Sequence, residues 1–368
     1  MDTASSIAER VRRHRAFLSR AVAGDTLFMQ SGILPGFEGH WIKALMSEGL
    51  SDLLKPDRID KINTQYVREL RGKLNHALRI DDDSVPTAEV YFSIGSVTAA
   101  MTGRPASFSG DTGWCEPELH DWDDLPKLVF NPDNPWLRFH VLVYRDLAAK
   151  CEGDYLMLPF IHRSPLDAAN GIRGNALFTD FYDSPDMAKR LINWCAEWSI
   201  QVEDMLRSEL SLPAGIARGV WSVAVPDNAV FVNGDPVDLI SDEQHAEFER
   251  PFTEKLFTAT GGGFFHHHAL GMRQVSNVSR TRGLLVQNIL TDPNVPVPVH
   301  LMLRDEGFRG QVVEASMKAP IHLTGDFSAV LEELLPVLRQ GRFILRHDGP
   351  PENTNELVEK LSRNRNPL

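Results

Sequence analysis

GGGFFHHHALG, Gly261 to Gly271, reads as a short buried strand. The glycines punctuate the chain, and Phe264 and Phe265 favour extended backbone. Side chains alternate along a strand, so His266 and His268 share one face and His267 takes the other. Two imidazoles on one face can hold a metal, or serve as acid, base or hydrogen-bond donor. The plainer alternative is that one histidine caps a loop and the others are satisfied by backbone partners.

The segments on either side alternate in the same way. Upstream, Gly153–Ile161 is an apolar run suited to a buried parallel strand, followed by a helix over 184–212. GVWSVAV (219–225) is strand-like, and a helix over 241–259 opens with Ser241 and Gln244 spaced as a capping box. Downstream, GLLVQNI (283–289), VPVHLML (297–303) and GRFILRH (341–347) read as strands, and 352–362 as the last helix. Nearer the N-terminus, the pattern gives a helix over 7–23, a strand leaving Asp25 into a Gly/Pro loop, helices over 41–54 and 58–78, and a β-rich run over 88–97. Asp81, Asp82 and Asp83 suggest a solvated turn or, less simply, a metal patch. Residues 103–135 form a long irregular stretch whose Trp114, Trp122 and neighbouring Trp136 either line a pocket or pin the loop. About eight strand candidates alternating with helices predict an α/β fold, a single (β/α)8 TIM-type barrel over 25–368 with an N-terminal helical extension over 1–24.

The chain has 368 residues, of which 42% are hydrophobic and 24% charged, enough for a sizeable core. A net charge of −12 argues against non-specific binding to nucleic acid or anionic membranes. No apolar run is long enough to span a bilayer, and the N-terminus lacks a signal-peptide core. Cys115, Cys151 and Cys195 are far apart and form no thiolate metal motif, which points to a reduced, cytoplasmic setting. No glycine-rich nucleotide-binding motif occurs.

In a barrel the site lies at the C-terminal ends of the strands. His347 ends the last strand, and Phe343, Leu345 and His347 share a face. If that face is inward, His347 meets His266 or His268 in one cavity, with Asp235 from the loop NGDPVDLIS beside them. Such a nitrogen and oxygen set suits Zn²⁺; without a metal it is a general acid/base pair. Arg163 and Arg173 flank another strand exit and suit a carboxylate or phosphate. Asp167 and Asn170 lie between them and double as turn formers.

Four segments in this order resemble the uroporphyrinogen decarboxylase superfamily, from about Asp25 to Leu361. They are PLDAANGIRG with FTDFYDSPDMAKRLINW (178–194), GDPVDLISDEQHAEFERPF (234–252), His268-Ala-Leu-Gly271, and RHDGPPENTNELVEKL (346–361). The resemblance implies a (β/α)8 barrel enzyme and covers both decarboxylases and zinc methyltransferases that serve corrinoid proteins or coenzyme M. The haem-pathway members begin with M-R-Q-A-G-R-Y-L-P; here MQSGILP (29–35) keeps the frame without either arginine. The methyltransferases carry H-x-C-G, and here Leu270 replaces that cysteine.

The reading this favours is zinc-assisted methyl transfer from a small methylated substrate to a corrinoid or thiol acceptor. His266, His268 and His347 would hold Zn²⁺, with Asp235, His268 and His347 doing the chemistry. Gln30, Arg163, Asn170 and Arg173 would contact substrate. A carboxy-lyase using His347 and Asp235, and a catalytically silent barrel acting as a binding subunit, are the alternatives. A corrinoid protein is the implied partner, and a homodimer is the implied assembly.

Overall fold

The computed structural model describes residues 3–34, 38–110, 112–151, 153–210 and 217–363. Nine strand segments carry the fold: β1 Thr26–Gln30, β2 Thr87–Ala88, β3 Leu156–Met157, β4 Ile161–Arg163, β5 Val230–Asn233, β6 Gly263–His268, β7 Leu284–Leu290, β8 Ile321–Gly325 and β9 Phe343–His347. Seven form one parallel sheet in the spatial order β1-β9-β8-β7-β6-β5-β4. β2 pairs in parallel with β3. Pro159 lies between β3 and β4, and its missing N–H accounts for a break in one continuous path.

This α/β arrangement is consistent with a barrel, but among the described residues the ladder does not close. The seam lies between β1 and β2, where side chains replace the ladder. Phe28 N–H donates to Asp83 Oδ2 at 2.8 Å, and Gln30 N–H to Asp82 Oδ2 at 2.7 Å. Arg10 and Arg13 of the helix Thr3–Ser19 pair with Asp82 and Asp83. Asp82 and Asp83 are therefore buried clamps on a strand edge, not a solvated turn.

Parity sorts the strand residues onto two faces. Leu27, Met29, Phe231, Phe264, Val286 and Ile344 form one apolar cluster with Phe17 of the first helix and Val220, Val223 and Val225. This is the inner face. Phe28, Ile289, Ile321, Leu323, Phe343 and Leu345 form another with Val312, Leu334 and Leu357 of the covering helices. Each such buried side chain contributes about 1.5–3 kcal/mol, so strands apolar on both faces need cover on both.

Several expected elements differ. GVWSVAV is an antiparallel hairpin, Arg218–Val220 with Val223–Val225, and not a strand of the main sheet. VPVHLML lies largely in a helix, Pro298–Arg304; prolines at 296 and 298 remove the amides a ladder needs. The strands the pattern missed include Val230–Asn233 and Ile321–Gly325 in the main sheet, and the stretch read as irregular over 103–135 holds an antiparallel hairpin, Ala106–Ser109 with Thr112–Cys115. In the 88–97 run, only Ala88 lies in a strand, and residues from Ile94 are helical. The 184–212 helix is observed as Pro185–Leu210, its end at 211–212 lying outside the described residues, as do Pro35 and Gly36 of the first loop. No described helix is long and apolar enough to cross a membrane.

Candidate metal centre and neighbouring cavity

β6 delivers the histidines as its alternation requires. His266 and His268 share the inner face with ring centroids 4.9 Å apart, and His267 turns to the helix side, where Gln287 is 2.9 Å from its Nε2. In register, His266 sits between Asn233 of β5 and Asn288 of β7. The chain leaving β5 is pressed against β6: Gly234 N–H donates to His266 O at 2.8 Å. A Cβ on Gly234 would lie 2.2 Å from the Phe265 ring, so only glycine permits this approach. The next residue, Asp235, is thereby placed beside the two imidazoles.

Asp235, His266 and His268 offer one ligand atom each, all within 4.8 Å of one another. Both histidines are fastened by Nδ1: His266 at 2.6 Å from Asn288 Oδ1, His268 at 2.6 Å from Asp292 Oδ1. Asp292 is pinned in turn by Leu270 N–H on its other oxygen. Each ring therefore turns Nε2 toward the group, and His268 Nε2 is 3.6 Å from Asp235 Oδ1. Asp235 Oδ2 accepts from Asn233 Nδ2 at 2.9 Å, whereas the buried Oδ1 has no hydrogen-bond partner among the described residues. Histidines oriented by oxygen acceptors on the far nitrogen are the usual surroundings of a metal, and the unpartnered carboxylate oxygen fits a cation. Two nitrogens and one oxygen suit zinc or another divalent transition ion, with positions left for substrate. Burial pushes His266 down to about 4, so its ring is neutral at ordinary pH. Asp238 is also close: burial raises it to about 7, with His268 opposing and Asp235 and Asp292 adding.

His347 does not join this group. Its ring lies on the helix side, 5.8 Å from Phe28 and 6.2 Å from Phe327, and its Nδ1 accepts from Phe327 N–H. Phe343, Leu345 and His347 do share one face, and that face is the outer one. The inward residues of β9 are Ile344 and Arg346. The other expected contacts are mostly engaged elsewhere. Arg163 forks onto Asp167 at 2.8 and 2.9 Å and reaches Thr98. Arg173 grips Asp180 and the carbonyls of Leu119 and His120, with its guanidinium 4.5 Å from the Trp122 ring. Asn170 donates to Gly174 O. Trp136 is core, Trp122 pins the loop under Arg173, and Trp114 is exposed.

Gln30 lines a cavity of about 300 Å³ at the β1–β2 seam, together with Ile33, Leu34, Glu89, Trp221 and Arg346. Trp221 separates this cavity from the metal group: its ring meets His266 edge-on at 5.1 Å. Trp221 and Ser222 form the hairpin turn with φ of 46° and 68°, a conformation that favours Asn and Gly. Non-glycine residues there cost roughly 1–2 kcal/mol each, so the indole is held in place against backbone preference.

The chain is similar in structure to a methyltransferase from Methanosarcina mazei. The TM-score is 0.58 at 12% sequence identity, over 95% of this chain and 96% of that one. At that identity the likeness concerns the fold. No family model and no curated protein matches the chain. Sequence reasoning missed Asn288, Asp292, His322, Asp238 and Trp221. Asn288 was legible in part, because it shares a face with Val286 in LLVQNIL; nothing local marked Asp292.

Proposed function

We propose that the protein is an enzyme that binds a divalent metal, zinc by preference, through Asp235, His266 and His268. In this reading it transfers a methyl group from a small methylated donor to a thiol or corrinoid acceptor. The convergence of three ligand atoms with both Nδ1 positions already fastened carries the reading. The family resemblance and the shared fold with a methyltransferase support it. When bound, the metal supplies a Lewis acid that polarises the donor's heteroatom. Asp235 and Asp292 together balance a divalent charge, and no thiolate neutralises it further, since Leu270 stands at the cysteine position. The carbon–heteroatom bond breaks with its electron pair on the leaving group, and the acceptor's thiolate or reduced corrinoid supplies the pair for the new bond. We assign the proton that goes to the leaving group to Asp238, whose carboxyl burial raises to about 7.

The carboxy-lyase alternative has less support, because it joined His347 to Asp235 and the two lie on opposite faces of the sheet. Metal analysis of purified protein is the first test. About one divalent ion per chain, lost on substituting His268, supports the reading; protein that takes up none at micromolar zinc refutes it. Methylated amines, thiols and aryl ethers supplied with a thiol or free cobalamin then test methyl transfer directly.

A further inference from the structure

The row His266–Asn288–His322 crosses three strands in register, one residue each from β6, β7 and β8. Its hydrogen bonds have a direction. Asn288 Nδ2 is 2.9 Å from His322 Nδ1 and 3.3 Å from His322 O. A backbone carbonyl only accepts, so the amide nitrogen faces β8 and the amide oxygen faces His266. His266 must then carry its proton on Nδ1, which is 2.6 Å from that oxygen, leaving a lone pair on Nε2. His322 accepts on Nδ1 and so carries its proton on Nε2, which is buried and has no partner among the described residues.

We infer that Asn288 is a positioning residue: it selects the His266 tautomer that points a lone pair at Asp235 and His268, and His322 keeps the Asn288 amide the right way round. The inference deepens the metal reading and rests on it for its purpose, while the tautomers can be read without any metal. A hydrocarbon at 288 leaves His266 free to put its proton on Nε2, where it blocks the ligand position. A carboxylate at 288 still accepts from His266 Nδ1–H but donates nothing, so His322 must turn its own proton to Nδ1. The two substitutions therefore separate the two halves of the row.

The test is ¹⁵N-histidine NMR of the full-length metal-free protein, with His266 and His322 signals assigned through H266Q and H322Q, alongside zinc affinity by chelator competition. Wild type should show His266 protonated on Nδ1 and His322 on Nε2. In N288D, His266 should be unchanged, His322 should switch to Nδ1–H, and zinc should bind within about threefold of wild type or more tightly. In N288L, His266 should lose its fixed tautomer and zinc affinity should fall by about 10–100-fold. An Nε2–H His266 in the wild type overturns the inference, and so does wild-type affinity in a folded N288L. If N288L does not fold, the His322 switch in N288D decides: its absence overturns the inference. A wild type that binds no zinc but shows the stated tautomers and the N288D switch upholds the row and defeats the proposed function instead.

Discussion

Replacing Asp235 with asparagine probes the metal centre with little change of shape. In the wild type, Asn233 Nδ2 donates to Oδ2, and Oδ1 is the oxygen without a partner among the described residues. In D235N the same donor keeps the carbonyl oxygen on its side, so the new NH₂ turns toward the lone pairs of His266 and His268. The change removes one of three ligands, removes one negative charge, and puts a donor where a cation belongs. A unit charge and a divalent cation 4 Å apart interact by about 8 kcal/mol at an effective dielectric near 20 and about 2 kcal/mol in water. The Asp235 side chain is 35% exposed, so solvent screening holds the interaction near the lower figure, about 2 kcal/mol. With the lost ligand bond the total is about 4 kcal/mol, a roughly thousand-fold weaker dissociation constant. Chelator competition for zinc, backed by the visible spectrum of the cobalt-loaded protein, measures it. Metal-free stability should move by less than about 1 kcal/mol, because Asp235 is partly exposed and carries no core packing. A D235N affinity within threefold of wild type refutes the reasoning.

His347→Gln should leave zinc affinity unchanged within about twofold but lower the unfolding free energy by about 1–3 kcal/mol, since the ring is fully buried against Phe28 and Phe327; denaturant melts and chelator competition on the same sample separate the two effects. Asp83→Ala should destabilise by about 2–4 kcal/mol, read by denaturant titration, because it strands the Phe28 amide at the seam and takes from Arg13 its nearer carboxylate, leaving it Asp25 at 3.4 Å. Burial raises Glu249 from 4.5 to about 7. A folded value above the unfolded one means that its stabilising contribution is full below pH 4.5 and is lost as pH rises through 7. Glu249→Gln never ionises, so it should gain on wild type between pH 5 and 8, by at most about 3 kcal/mol at 1.36 kcal/mol per pH unit. Melts across that range showing a constant difference between the two proteins count against a protonated Glu249.

Features that depend on local period are legible in the residues alone. Residues two apart on a strand share a face, so the pairing of His266 with His268, and of Phe343 and Leu345 with His347, was fixed before any fold was known. The capping box at Ser241 was equally legible, and it forms with Gln244 as read. Pro296 and Pro298 disfavour a strand at 297–303 by a local property, their missing amides. Which face is inside is set by the packing of the whole fold. β9 is apolar on both faces, with Ile344 inward and Phe343 and Leu345 outward, so its composition cannot orient His347. Register between strands likewise brought Asn233 and Asn288 level with His266, and the turn after β7 carried Asp292 to His268. Those neighbours are distant in sequence and are set by how β5, β6 and β7 align, a choice made by the packing of whole strands against the helices and the Trp221 hairpin.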